Sequence, residues 1–384
     1  MSNPARTPGF LLVDTELTAL FSKAIRFARG APRITPEQVQ PASLDLRLGP
    51  AAWRVRAGFL PFGGPVEARL PELAIAKLSL EGDGAVLEKG QVYLVPLEEE
   101  LALPPDLWAR FNPRSSTGRC DIFTRVLCDG HARFDEAPAG FKGRLWIEVA
   151  PLSFPVKLRR GDRLAQLRLA QGKPALDVDD LRALHARTPL VFAEGRALKQ
   201  EEVRIDEDAC LMLSVGLAGR DPAGWRAAPH TDVLEFAKEG AHAASEFWEP
   251  VHAPNGRCIL GPGSFYIFAS KERLRVPPKF AAEMLPVDTG IGELRNNYAG
   301  FFDNGFGWKS SDKAPGGVVN DGTPAVLEVR AHDVPFLVED GQLFCRVRFF
   351  RTSGRPEKIY GEGRSSSYKD QDLTLARCFR APGN

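Results

Sequence analysis

The chain has no C-x-x-C pair. Its six cysteines, Cys120, Cys128, Cys210, Cys258, Cys345 and Cys378, stand far apart, which argues against a paired-thiol zinc site and gives no disulfide framework. It also lacks an excess of charge of either sign. With 50 Lys and Arg against 49 Asp and Glu, the net charge is +1, so no global field draws the chain to a nucleic acid polymer or an anionic membrane, and an anionic ligand must be held locally. No apolar run reaches 18 residues, and Met1 to Gly9, rich in Pro, Ser and Asn, lacks a basic stretch followed by an apolar core. A cytoplasmic protein is the expectation. At 384 residues, the chain is long enough for two domains with separate cores.

Residues 14–29 place Leu17, Leu20, Phe21, Ile25 and Phe27 at helical spacing, with Asp14 or Thr15 as N-cap and Gly30 as a stop, and predict one amphipathic helix. Gln38–Gly49 then alternates at Leu44, Leu46 and Leu48, the period of a strand. From there to about residue 170, short runs such as Val92–Val95 and Leu145–Val149 are cut by Gly and Pro, which suggests a β-barrel or sandwich rather than alternating β and α units.

An internal repeat organises the rest. The segment Gly90–Pro104 reappears as Gly263–Pro277, and Glu148–Gly161 reappears as Glu328–Gly341, each pair without a gap. The expected fold is therefore mainly β. It comprises a first domain over residues 1–172, a connector with a short helix over 173–200, and a second copy over 201–384.

The stretch Arg114-Ser115-Ser116-Thr117-Gly118-Arg119 sets two guanidinium groups around paired hydroxyls, a pattern able to grip a phosphate chain. A short Arg/Ser run is more often a solvated turn, and its setting in the repeat decides against that. At the matching places the second copy has Asp288, Thr289 and Gly292, a carboxylate where an anion cradle needs a donor.

Gln40–Gly49, Gly90–Pro105, Arg114–Arg119, Leu145–Val149 and Gly161–Leu167, in this order, resemble the dCTP deaminase family of the trimeric dUTPase-like superfamily. The resemblance implies two tandem dUTPase-like distorted β-barrels (β-clip or jelly-roll-like), the second degenerate. It implies conversion of dCTP to dUTP and ammonia without metal at the base, supplying dUTP for dTTP synthesis. Glu148 would be the general acid/base, with Arg119 and Ser115 completing the catalytic set. Alternation turns Glu148 to the same face as Trp146, as a half-buried acid or an outward-facing strand residue. Arg114, Ser115 and Ser116 would contact the triphosphate, with magnesium carried on the phosphates and no zinc. Asp135 resembles the aspartate that binds the deoxyribose, and His131 stays unassigned.

Tyr360, Tyr368, Lys369 and Gln371 resemble a C-terminal lid closing over the first domain's pocket, and a homotrimer is implied. Two alternatives stand beside this reading. One is a dUTP diphosphatase, alone or joined to a deaminase, using Asp135 to activate water. The other is a nucleotide-binding protein without catalysis. A zinc cytidine deaminase is disfavoured, since the chain has neither H-x-E nor P-C-x-x-C.

Overall fold

The computed structural model describes residues 8–287, 294–296, 300–308, 322–331, 333–360 and 372–380. Two antiparallel β-systems follow one another. In the first, strands Val92–Ala102, Lys142–Pro151 and Ile122–Cys128 lie side by side, extended by Ala51–Val55 and Ala74–Ser79. A facing sheet pairs Leu107–Pro113 with Ala165–Gln171, and Leu44–Leu46 joins the latter. Alternation is clean in Leu107–Pro113, where Leu107, Ala109, Phe111 and Pro113 are buried and the residues between them half-buried. The second system pairs Phe265–Leu274 with Thr323–Ala331 and Phe280–Leu285 with Leu343–Arg351.

The repeat holds at the level of register. Glu148 stands opposite Leu94, and Glu328 stands opposite Ile267. Leu94 and Ile267 occupy the same place in the two copies, each four residues after its glycine. Those glycines, Gly90 and Gly263, have φ of 75° and 68°, a left-handed turn that other residues adopt only under strain.

The N-terminal helix is shorter than its periodicity suggests. It covers Asp14–Ala19 and is capped at Val13, whose N–H donates to the Glu16 carboxylate at 3.0 Å, rather than at Asp14 or Thr15. Ser22 turns to φ 62°, and Ile25–Phe27 becomes a strand against Glu99–Leu101. The unpaired edge of the long Val92–Ala102 strand outcompetes local helix preference at a β-branched and an aromatic residue. In the connector, Asp177 caps helix Val178–Arg187 by accepting from Asp180 N–H at 2.8 Å, and Val191–Ala193 then joins the second sheet.

The two halves pack together over a wide area. Leu234 pairs in parallel with Val156, and Phe236, Phe247, Trp248, Leu375, Cys378 and Phe379 enter the core of the first half. Phe154 lies 5.4 Å from both Phe247 and Trp248. No helix among the described residues is long and apolar enough to cross a membrane.

Charges are buried where the facing sheets meet. Arg168, 2 % exposed, donates to the Ala282 and Phe302 carbonyls, pairs with Asp303 at 2.8 Å and stacks on Phe301. Nearby, Arg110 pairs with Glu283 at 2.8 Å. Replacing Arg168 with Met strands the Asp303 carboxylate in a dry interface. Equilibrium urea unfolding should show a loss of about 3–5 kcal/mol, partly recovered in the double variant with Asp303→Asn.

Candidate active site

Strand Leu107–Pro113 delivers the chain into one helical turn, Ser115–Arg119, with Arg114 as its extended cap. The turn is held from below. Arg114 N–H and the Thr117 hydroxyl both donate to the Leu164 carbonyl at 2.8 Å, tying the loop to the entry of strand Ala165–Gln171. The Arg114 carbonyl accepts from Thr117 and Gly118. Ser115 is half-buried, while Ser116 and Arg119 are buried.

The Arg114 guanidinium lies 3.1 Å from one oxygen of Asp45, and Arg163 lies 3.5 Å from the other. Burial pushes the Asp45 carboxyl up, and Arg114 and Arg163 pull it back. This carboxylate orients Arg114, a role that the Gln40–Gly49 motif did not disclose. Arg119 reaches the other way, donating from Nη1 to the Thr374 carbonyl at 2.8 Å, so the C-terminal stretch touches the same loop.

Glu148 is buried on its strand, but within the chain its neighbours are not the Arg/Ser loop. One oxygen accepts from Arg125 Nε and Nη2 at 3.1 and 2.6 Å. The other has no hydrogen-bond partner among the described residues and lies under Gly58, where an added Cβ would collide with it. Arg125 is stacked 3.9 Å from the Phe134 ring centroid.

Asp135 belongs to this second group too. Its side chain accepts from Val126 N–H at 2.8 Å at a backbone φ of 58°. Burial raises its carboxyl to about 7 against the pull of Arg125 and Arg110. Within the single chain, Glu148 and Asp135 therefore share Arg125 as a neighbour, while Arg114, Ser115 and Arg119 stand together on the Arg/Ser loop.

The carboxyl that meets the Arg/Ser loop is Glu328. It is 2 % exposed on strand Thr323–Ala331, and its two oxygens face the Gly118 Cα so closely that a Cβ there would overlap both. Reading the second copy as degenerate passed over it. The signal was already in the repeat, which sets Glu328 opposite Glu148. The two halves have complementary parts, the first keeping the Arg/Ser loop and the second placing its acid upon it.

Of the proposed lid, Tyr360 packs in the second half, its N–H donating to Asn304 O at 2.9 Å and its ring 5.6 Å from Phe306. Tyr368, Lys369 and Gln371 lie outside the described residues, as do Asp288, Thr289 and Gly292. No group of three or more His, Cys, Asp or Glu side chains among the described residues is arranged to hold a metal ion.

An acid and two arginines flanking hydroxyls can move a proton beside an anionic substrate. The crystal structure of 2′-deoxycytidine 5′-triphosphate deaminase from Agrobacterium tumefaciens superposes with a TM-score of 0.80 at 41% identity, over 91% of this chain and 100% of that one. The dCTP deaminase of Halorubrum lacusprofundi is 35% identical over 133 residues, 34% of this chain and 63% of the relative. The "dCTP deaminase, dUMP-forming" of Methanobrevibacter smithii is 30% identical over 133 residues, 34% of this chain and 66% of the relative. Residues 9–173 match the family model of the 2′-deoxycytidine 5′-triphosphate deaminase N-terminal domain, and residues 177–379 match that of its C-terminal domain. The chain therefore belongs to the 2′-deoxycytidine 5′-triphosphate deaminase family, as a two-domain hydrolase that deaminates dCTP.

Proposed function

We propose that the two halves build one hydrolytic deamination site within a single chain, in which Glu328, not Glu148, does the proton work on dCTP. The observation that carries this is the contact between the Glu328 carboxylate and Gly118, in the middle of the Arg/Ser loop. The triphosphate is held by Arg114, Ser115 and Ser116, with magnesium as part of the bound nucleotide. Glu328 takes a proton from water as its oxygen attacks C4 of cytosine, and delivers that proton to N3. The tetrahedral carbon then expels the amine, which leaves as ammonia after taking the second water proton through the same carboxyl. Arg119 and Ser115 orient water and base against the acid.

A carboxyl in a dry cleft serves both directions of transfer without a metal at the reacting carbon. The dUTP formed would supply the pool from which dTTP is made. Since relatives of both kinds match, some named for dUMP formation, chromatography of the products with dCTP and magnesium separates dUTP from dUMP.

Glu328→Gln should lower kcat by about 10²- to 10⁴-fold, whereas Glu148→Gln should stay close to the parent. The reverse ranking, measured as ammonia release, would return the acid's role to Glu148. Gly118→Ala is a second check. Alanine favours a helical turn by about 1 kcal/mol, yet its methyl would displace the Glu328 carboxylate, so turnover should drop in a protein that remains folded by circular dichroism. Co-expressing Arg119→Ala with Glu328→Gln chains tests where the site is completed. Sites built within one chain stay dead in the mixture, and recovery of activity would show that they form between chains.

A further inference from the structure

Glu328 has to be held against a loop that belongs to the other half of the chain. Two residues further along the same strand, and so on the same face, is Arg330. Its Nη2 reaches Asp121 Oδ2 and donates to the Ser153 hydroxyl oxygen at 3.3 Å, while Nη1 donates to the Gly263 carbonyl. Asp121 is fully buried, and Ser153 Oγ donates to the same carboxylate oxygen at 2.5 Å.

The backbone of Asp121 closes the circuit. It sits two residues after Arg119 at φ 53°, its N–H donates to the Gly118 carbonyl at 2.8 Å, and its own carbonyl accepts from Leu152 N–H at 3.0 Å. Gly118 is the residue that Glu328 faces. The path from acid to strand, to guanidinium, to carboxylate, to Gly118 and back to the acid therefore runs through short, directed contacts.

We propose that Asp121, Arg330 and Ser153 form a clasp that positions Glu328 against the Arg/Ser loop; the inference rests on Glu328 being the acid. The clasp joins the halves beside the reacting groups, whereas Arg168–Asp303 and Arg110–Glu283 join them elsewhere. Asp121 offers a carboxylate whose charge is costly to bury, so it is strongly committed to the guanidinium that reaches it: burial pushes its carboxyl up to about 6, with Arg330 the first group pulling it back. None of the three needs to touch the nucleotide. They are positioning residues, and their loss acts through the placement of Glu328.

The test separates positioning from folding and from binding. Asp121→Asn and Arg330→Leu are expected to lower kcat about 10- to 100-fold, the scale of an ångström of misplacement, while the Kd for dCTP, measured calorimetrically on the folded full chain, shifts less than threefold. Arg330→Lys should recover part of the loss. The double variant should be no worse than either single one, because both break the same link. If the buried variants fail to fold, Ser153→Ala retains the ion pair and should still lower kcat, by a smaller factor.

Folded variants with kcat within twofold of the parent would overturn the clasp, as would losses that follow Kd or additive losses in the double variant. Activity surviving in Glu328→Gln would instead overturn the reading of the acid, so the two failures are distinguishable.

Discussion

Burying charge between two β-sheets is costly unless each charge meets its opposite with directed hydrogen bonds, and the association of the two halves depends on meeting that condition where they touch. Arg168 with Asp303, Arg110 with Glu283, and Arg330 with Asp121 each take one partner from the first half and one from the second. Apolar burial supplies most of the attraction, through Phe154, Phe247, Trp248 and Phe379, but it is tolerant of small slips. The ion pairs are not. They set the register at which strand Thr323–Ala331 meets the Arg/Ser loop.

That register explains why the duplicated strands place their acids in different surroundings. Each half contains the strand that carries an acid, Glu148 or Glu328, at the same place in its sheet. In the first half the acid accepts from Arg125 and is covered by the backbone at Gly58. In the second half the acid lies against the loop of the first. The asymmetry comes from where each half docks, not from the strands themselves.

Much was legible before any coordinate. Alternation at Leu44, Leu46 and Leu48 and the equal spacing of Gly90–Pro104 and Gly263–Pro277 are direct imprints of a strand and of a repeated turn, because backbone geometry writes them locally. The Arg/Ser loop was legible for a similar reason, since residues able to grip a phosphate stand there contiguously. The helix over residues 14–29 was overestimated because an edge strand far along the chain claimed Ile25–Phe27. The contact of Glu328 with the Arg/Ser loop was not legible, because nearness in sequence stands in poorly for nearness across an interface.

By itself the sequence determined the kind of fold, the tandem repeat, the family and the position of the Arg/Ser loop, all of which follow from local periodicity and contiguous chemistry. Only the tertiary structure decided which of two equivalent glutamates meets that loop, that Asp45 orients Arg114, and that Arg330 and Asp121 join the halves beside the acid. These depend on docking two sheets through contacts some two hundred residues apart, as in the pair Arg330–Asp121, and no local pattern of residues encodes the angle at which two sheets pack.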